Sequence, residues 1–265
     1  MLDWWWAYLA LGAFVGFFAG LLGIGGGAAM VPVLAFIYAA KGFDPAQIVH
    51  LALGTSMATI LFTSVSSVRA HHRHGAVNWQ IVRRMTPGIV IGTFSGALLA
   101  SALDVRVLAI VFTLLIYYIS AQMFFGKKPA SGAAPLSTAG LNLAAGIIGV
   151  ISSLTATGGA ALVVTYLVKR GIAIHQAIGS AAAIGWPLAA AGTTGFLITG
   201  IGQPGIPAYS LGFIYLPALA GIVIASVLLA PLGARLAHRT PSALLKKIFA
   251  AVLFALATKM LFSFF

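Results

Sequence analysis

A chain of 265 residues that is 61% hydrophobic and only 7% charged, with a mean hydropathy of +1.06, lies outside the range of soluble domains. The absence of cysteine excludes disulfides, iron–sulfur clusters and thiolate catalysis. A formal charge of +12 would suggest nucleic acid in a soluble protein, but here the basic residues stand in short stretches between apolar segments, where they set membrane orientation.

Several apolar runs reach about 18 residues, the length that crosses roughly 30 Å of hydrocarbon at about 1.5 Å per residue. Lipid satisfies no backbone hydrogen bonds, and these unbroken runs lack the alternation of a barrel strand, so the expected fold is an all-α, polytopic helical membrane protein. The start, with Trp4, Trp5, Trp6 and Tyr8, lacks the basic region of a cleavable signal and reads as an interfacial aromatic belt. The apolar segments that follow are 4–40, 46–68, 86–103, 107–125, 139–168, 174–199, 210–231 and 248–265. A stretch of linker composition from Gly126 to Thr138 divides them into two sets of four. The expected organisation is therefore a first transmembrane repeat over 1–126, a cytoplasmic linker over 127–138 and a second repeat over 139–265.

Two landmarks recur in the same order in both sets. Gly26-Gly-Ala-Ala-Met-Val31 aligns with Gly158-Gly-Ala-Ala-Leu-Val163, and His50-Leu-Ala-Leu-Gly-Thr-Ser56 aligns with His175-Gln-Ala-Ile-Gly-Ser-Ala181. Charge then orients the halves. Of fifteen Lys and Arg, twelve lie between Arg69 and Arg84, at Lys127-Lys128, at Lys169-Arg170 and between Arg235 and Lys247, and these places are assigned to the cytoplasm. Asp3, Asp44 and Asp104 fall at the opposite ends. For Lys127 and Lys169 to share a side, segment 139–168 must enter and return as a broken hairpin; by the repeat, segment 4–40 does the same from outside. Each half then has one broken or re-entrant hairpin and three crossings, which inverts the halves. The competing count, eight simple spans with parallel halves, divides the positive charge almost evenly between the two sides.

The sharpest motif is Gly20-Leu-Leu-Gly-Ile-Gly-Gly-Gly-Ala-Ala-Met-Val-Pro-Val-Leu34. Glycine frees the backbone from helical geometry and lets a ligand approach the amides, and a helix restarting near Gly27 would aim its free N–H groups at an anion. The second half offers Ser152-Ser-Leu-Thr-Ala-Thr-Gly-Gly159, where Thr155 and Thr157 add donors. Gly12, Gly16 and Gly20, like Gly88, Gly92 and Gly96, have the spacing of helix-packing seams, whereas Gly25, Gly26 and Gly27, with Gly158 and Gly159, exceed what a seam requires. Thr55, Ser56 and Ser180 follow the broken segments and either complete an anion cage or bond their own i−4 carbonyls. His50 and His175 occupy matching positions and are candidates for proton coupling; interfacial histidines satisfying loop carbonyls are the alternative. His71-His72-Arg73-His74 has the look of a metal tract but fits a solvated basic loop. No Asp or Glu lies within a span, which argues against a cation substrate.

These residues resemble the sulfite exporter TauE/SafE family over nearly the whole chain. The resemblance rests on the glycine block of Gly20 to Leu34 with its Val-Pro, on Gly54-Thr-Ser56, and on Gly75-Ala-Val-Asn-Trp79 ahead of the third span. It implies an inner-membrane transporter that moves sulfite, sulfoacetate or related organosulfonates outward. The second half departs from the family's pattern, having Leu154-Thr-Ala-Thr-Gly-Gly159 where a second glycine block is common; its two added hydroxyls would favour another oxyanion or a larger head group.

The reading is a secondary carrier for a small anion in the lipid bilayer, working by alternating access, with no cofactor, no metal and no nucleic-acid partner, and with homo-oligomerisation left open. Its rivals are an anion channel using the same donors, a membrane assembly or partner-binding protein in which the glycines only pack, and an intramembrane enzyme, which lacks an embedded acid or a His-Glu-x-x-His.

Overall fold

The computed structural model of the chain describes residues 4–22, 27–125, 137–237 and 242–263. They form ten helices and one small β-ribbon. In chain order these are α1 (Trp5–Leu22), α2 (Gly27–Ala40), α3 (Ile48–Arg73), α4 (Trp79–Ala102), α5 (Val105–Phe125), α6 (Thr138–Thr155), α7 (Ala160–Lys169) and α8 (Ile174–Gly200). The ribbon β1 (Ser210–Leu211) and β2 (Ile214–Tyr215) follows, then α9 (Leu216–Ala237) and α10 (Ser242–Phe262). Five of them, α3, α4, α5, α6 and α8, are long and apolar enough to cross a membrane, as a polytopic helical membrane protein requires. The two long segments 4–40 and 139–168 are each split into two helices. Of the pieces, α2 with 14 residues and α7 with 10 would extend only about 21 and 15 Å, too short to cross alone.

Local chemistry explains where the helices begin and end. Asn78 caps α4 by accepting from the N–H groups of Gln80 and Ile81, and Ser137 caps α6 by accepting from Gly140. Gly75 and Gly171, both at positive φ, close the turns after α3 and α7. Two expected boundaries move. Helix α3 continues to Arg73 and α4 already starts at Trp79, so most of the basic stretch from Arg69 to Arg84 lies on helix ends with a short turn between them. Segment 210–231 opens with the β-ribbon, and its helix begins only at Leu216.

Close contacts give the directions of the helices. Gly12 and Gly16 of α1 lie against the backbone of Ile222 and Ser226 of α9, so these helices run parallel. Gly88, Gly92 and Gly96 of α4 meet Asn142, Gly146 and Val150 of α6, a second parallel seam. In both seams the backbones are close enough that a Cβ would collide, which is the use of small residues at lipid-embedded interfaces. Helices α3 and α8 run antiparallel: Gly54 near the start of α3 packs on Phe213 beyond the end of α8, and Gly179 near the start of α8 packs on Ala76 beyond the end of α3. Helix α10 runs antiparallel to α5, with Tyr117 facing Thr258 and Lys247 facing Phe124.

Each long segment doubles back on itself. Tyr8 near the start of α1 and Tyr38 near the end of α2 both pack on Tyr215, and Lys41 lies 6.0 Å from the Trp4 ring. The start of α6 lies beside the first turns of α4, while α7 returns to the short turn that leads into α8. One end of the bundle thus gathers Arg69, Arg73, Arg83, Arg84, Lys169, Arg170 and Lys247, and the other carries Asp44 and Asp104 with Lys41 and Arg106. Lys259 near the end of α10 lies 5.0 Å from the Phe36 ring of α2.

Candidate functional site

The start of α2 and the break between α6 and α7 meet halfway along α3. A Cβ added to Gly27, the first residue of α2, would strike the carbonyl of Ala156 in the second break and the side chain of Ile60 in α3. One added to Gly158 would touch the same Ile60 at 3.5 Å, and the Gly158 carbonyl lies near Gly185, midway along α8. Gly27, Gly158 and Gly159 are therefore brought together, and all three are buried. Gly25 and Gly26 lie outside the described residues.

The second break is built from left-handed residues. Ala156 has φ 46°, and Gly158 and Gly159 have φ 69° and 67°. Glycine adopts this region without the Cβ penalty that Ala156 bears. A Cβ on Gly159 would also press on the side-chain ends of Leu188 and Ser152, which would have to shift. Helix α7 then starts with no side-chain cap. Its first-turn N–H groups point into a buried region with the positive end of the helix dipole behind them.

The hydroxyls around the break differ in their commitments. Thr155 donates to the Ile151 carbonyl at 2.9 Å and shares a 3.1 Å hydrogen bond with Thr157. Ser152 is fully buried and its Oγ has no hydrogen-bond partner. Nothing in the sequence separates Ser152 from its neighbour Ser153, whose hydroxyl donates to Val150; only the fold reveals which of the two is free. Ser56 is also fully buried and unpartnered, one turn before Ile60 on the same face of α3.

Thr55 and Ser180 are held away from the break by loop contacts. Thr55 Oγ1 accepts from the Tyr215 N–H at 3.0 Å and from the Tyr38 hydroxyl at 3.2 Å. Ser180 Oγ accepts from the Asn78 N–H at 3.0 Å. Tyr215 and Asn78 stand just before α9 and α4, so the two hydroxyls do the same work in the two halves, docking the turn that precedes the fourth helix.

The paired histidines differ in environment. His50 is buried, with Nδ1 3.2 Å from the Ala46 carbonyl, Nε2 3.2 Å from those of Ala100 and Leu103, and its ring stacked on Phe213. This is the carbonyl-satisfying arrangement, and it ties the start of α3 to the end of α4. His175 is exposed at the basic end. His71, His72 and Arg73 form the last turn of α3, where Trp79 Nε1 donates to His72 Nδ1 at 3.3 Å, and no group able to hold a metal ion occurs among the described residues.

Comparison with known proteins finds relatives named as membrane transporters. A probable membrane transporter protein of Haemophilus influenzae is 39% identical over 253 residues, covering 95% of this chain and 96% of its own. Probable membrane transporter proteins of Methanocaldococcus jannaschii (26% identical, 86% of this chain and 84% of that one) and Bacillus subtilis (24%, 88% and 90%) are similar over most of their length. No solved structure matches the chain. The family model for the sulfite exporter TauE/SafE matches residues 8–260, so this integral membrane protein, with its two broken segments meeting between α3 and α8, belongs to the TauE/SafE family of transporters.

Proposed function

We propose that the protein is a secondary carrier that exports small sulfur-containing anions, such as sulfite, sulfoacetate or related organosulfonates, across the cytoplasmic membrane by alternating access. The observation that carries this reading is the meeting of the start of α2 with the break between α6 and α7, one from each half of the sequence, at a buried point midway along α3 and α8. Unwound backbone at membrane depth is tolerated only where protein buries it or where it serves a ligand, and crossed broken helices are a recurrent way to build a transporter site. The anion is met by the backbone at Gly27, Gly158 and Gly159 and by Ser56, while Thr55 and Ser180 hold the surrounding loops. The family's name supplies the sulfur chemistry, and the lack of any Asp or Glu in the spans accords with an anion.

The halves 1–126 and 139–265 are read as inverted repeats with the basic end in the cytoplasm. Three features support this: the aligned landmarks, the equivalent docking of Thr55 and Ser180, and the antiparallel course of α3 and α8.

The test is counterflow in proteoliposomes loaded with sulfite or sulfoacetate, following uptake of the labelled anion. Saturable exchange is expected, and Gly27→Leu, which forces the two breaks apart, should abolish it with the protein still folded. Current through single molecules, or flux far above about a thousand ions per second, would overturn the carrier in favour of a channel.

A further inference from the structure

We infer that the charged head of the substrate binds at the N-terminus of α7, that Ser152 is its specific side-chain donor, and that the site accepts a head group carrying a single negative charge and rejects one that is itself doubly charged. This rests on the reading of the protein as an anion carrier and names the substrate class at that site.

The start of α7 is equipped for a ligand and has no side-chain cap among the described residues. Asn78 and Ser137 cap α4 and α6, both near the basic end of the bundle, but α7, with Gly159 at its N-cap, begins in the interior without a capping side chain. A buried helix end without partners is costly unless something else satisfies it. Ser152 is the matching observation on the other side. Its hydroxyl is fully buried and unpartnered, although a helical serine ordinarily bonds a carbonyl of the preceding turn. Its Oγ lies 2.9 Å from where a Cβ on Gly159 would sit, so it is aimed at the first residue of the α7 end. Thr155 and Thr157 already satisfy each other and the Ile151 carbonyl, which leaves Ser152 as the free donor on this wall.

The charge limit follows from what the site lacks. No Lys, Arg, Asp or Glu occurs in 27–40, 48–68, 138–168 or 174–200, so the donors around the breaks are neutral amides and hydroxyls. The opposite walls are apolar: Ile60, Ile148 and Leu188. A few neutral hydrogen bonds and a helix dipole can hold one buried negative charge. A second charge raises the desolvation cost about fourfold, as the square of the charge, with no cation to offset it. The compact group that fits is a sulfonate or hydrogensulfite monoanion, and sulfate is the matched dianion that does not.

The test uses the full chain in lipid nanodiscs, titrated calorimetrically with sodium methanesulfonate and sodium sulfate at constant ionic strength. Ser152→Ala is compared with Ser120→Ala, which removes another buried, unpartnered hydroxyl from α5, away from the breaks. Expected are methanesulfonate binding by the wild type and Ser120→Ala, sulfate at least about tenfold weaker, and methanesulfonate weakened roughly tenfold or more by Ser152→Ala. Equal affinity in the two variants would overturn the α7 site while leaving the carrier standing if Gly27→Leu still abolishes exchange. Sulfate binding as tightly as methanesulfonate would overturn the charge limit. Folded wild type that binds neither anion would overturn both this assignment and the anion-carrier reading beneath it.

Discussion

Gly92 and Gly146 face one another across the α4–α6 seam, yet a methyl group is not equivalent at the two positions. A Cβ on Gly92 would run into the backbone of Gly146, which cannot yield, whereas a Cβ on Gly146 would reach the Gly88 carbonyl at an ordinary 3.7 Å. Gly92→Ala should therefore destabilise the protein by about 1–3 kcal/mol, the usual cost of overpacking. Gly146→Ala should stay within about 0.5 kcal/mol. Thermal unfolding in detergent, followed by the loss of the monodisperse size-exclusion peak, checks both. Thr55 allows a second distinction. Thr55→Val keeps the shape but leaves the Tyr215 N–H and the Tyr38 hydroxyl without an acceptor, a loss of about 1–3 kcal/mol. If Thr55 docks the loop and does not touch substrate, thermal stability falls while the affinity for anion in counterflow is unchanged. A raised KM at unchanged stability would return Thr55 to the binding site. The sequence could not make this distinction, since Gly-Thr-Ser reads equally well as a ligand cage or as a loop anchor until Tyr215, distant along the chain, is placed against it.

At the scale of helices, the broken segments set the topology. If α6 and α7 form a hairpin returning to the basic end, Thr138 and Ala173 lie on one side of the membrane and Gln203 on the other, and all three are exposed. The chain has no cysteine of its own, so single-cysteine variants report without background. Gln203→Cys should react with an impermeant thiol reagent in whole cells, whereas Thr138→Cys and Ala173→Cys should react only after permeabilisation. Labelling of Thr138→Cys and Ala173→Cys on opposite sides would mean that 139–168 crosses once. Much of this level was legible in the sequence. Membrane helices follow from apolar length, the interruption at Gly158-Gly159 from glycine's backbone freedom, and the return of the segment from the positions of Lys127 and Lys169. Hidden from it were features that depend on contacts between distant residues: the β-ribbon at 210–215, the extension of α3 and α4 into the basic stretch, and the unequal environments of His50 and His175. The histidine match in sequence is real, but burial depends on what lies opposite. Phe213 and the carbonyls ending α4 enclose His50, whereas His175 is left at the surface.

For the molecule as a whole, the seams would limit how access alternates in the proposed carrier. Helix α1 is locked to α9 and α6 to α4 through backbone-close glycines, so each half lends its first helix to the other. The two halves of the sequence cannot simply swing apart; a rigid-body motion has to carry α1 with α9 and α6 with α4. The seam between α4 and α8 lacks that backbone interlock through most of its length. It is closed at the acidic end, where Ser101 Oγ lies 2.7 Å from Thr199 Oγ1 and Gly195 packs on Ala97. By the proposed repeat, counted from His50 and His175, the positions on α3 that match Gly195 and Gly192 are Ala70 and Ser67, and these are exposed and half-buried at the basic end, whereas both glycines are buried. The arrangement is thus closed at the acidic end and less tightly packed at the basic end, and in the proposed carrier the opposite state would require α4 to leave α8. A disulfide between Ser101→Cys and Thr199→Cys should hold that seam shut. Counterflow is then expected to fall to background under oxidation and to recover when a reductant cleaves the bond, with each single variant unaffected by either treatment. Full exchange by protein shown to be cross-linked would place the moving boundary elsewhere, because a carrier cannot alternate across a seam that never opens.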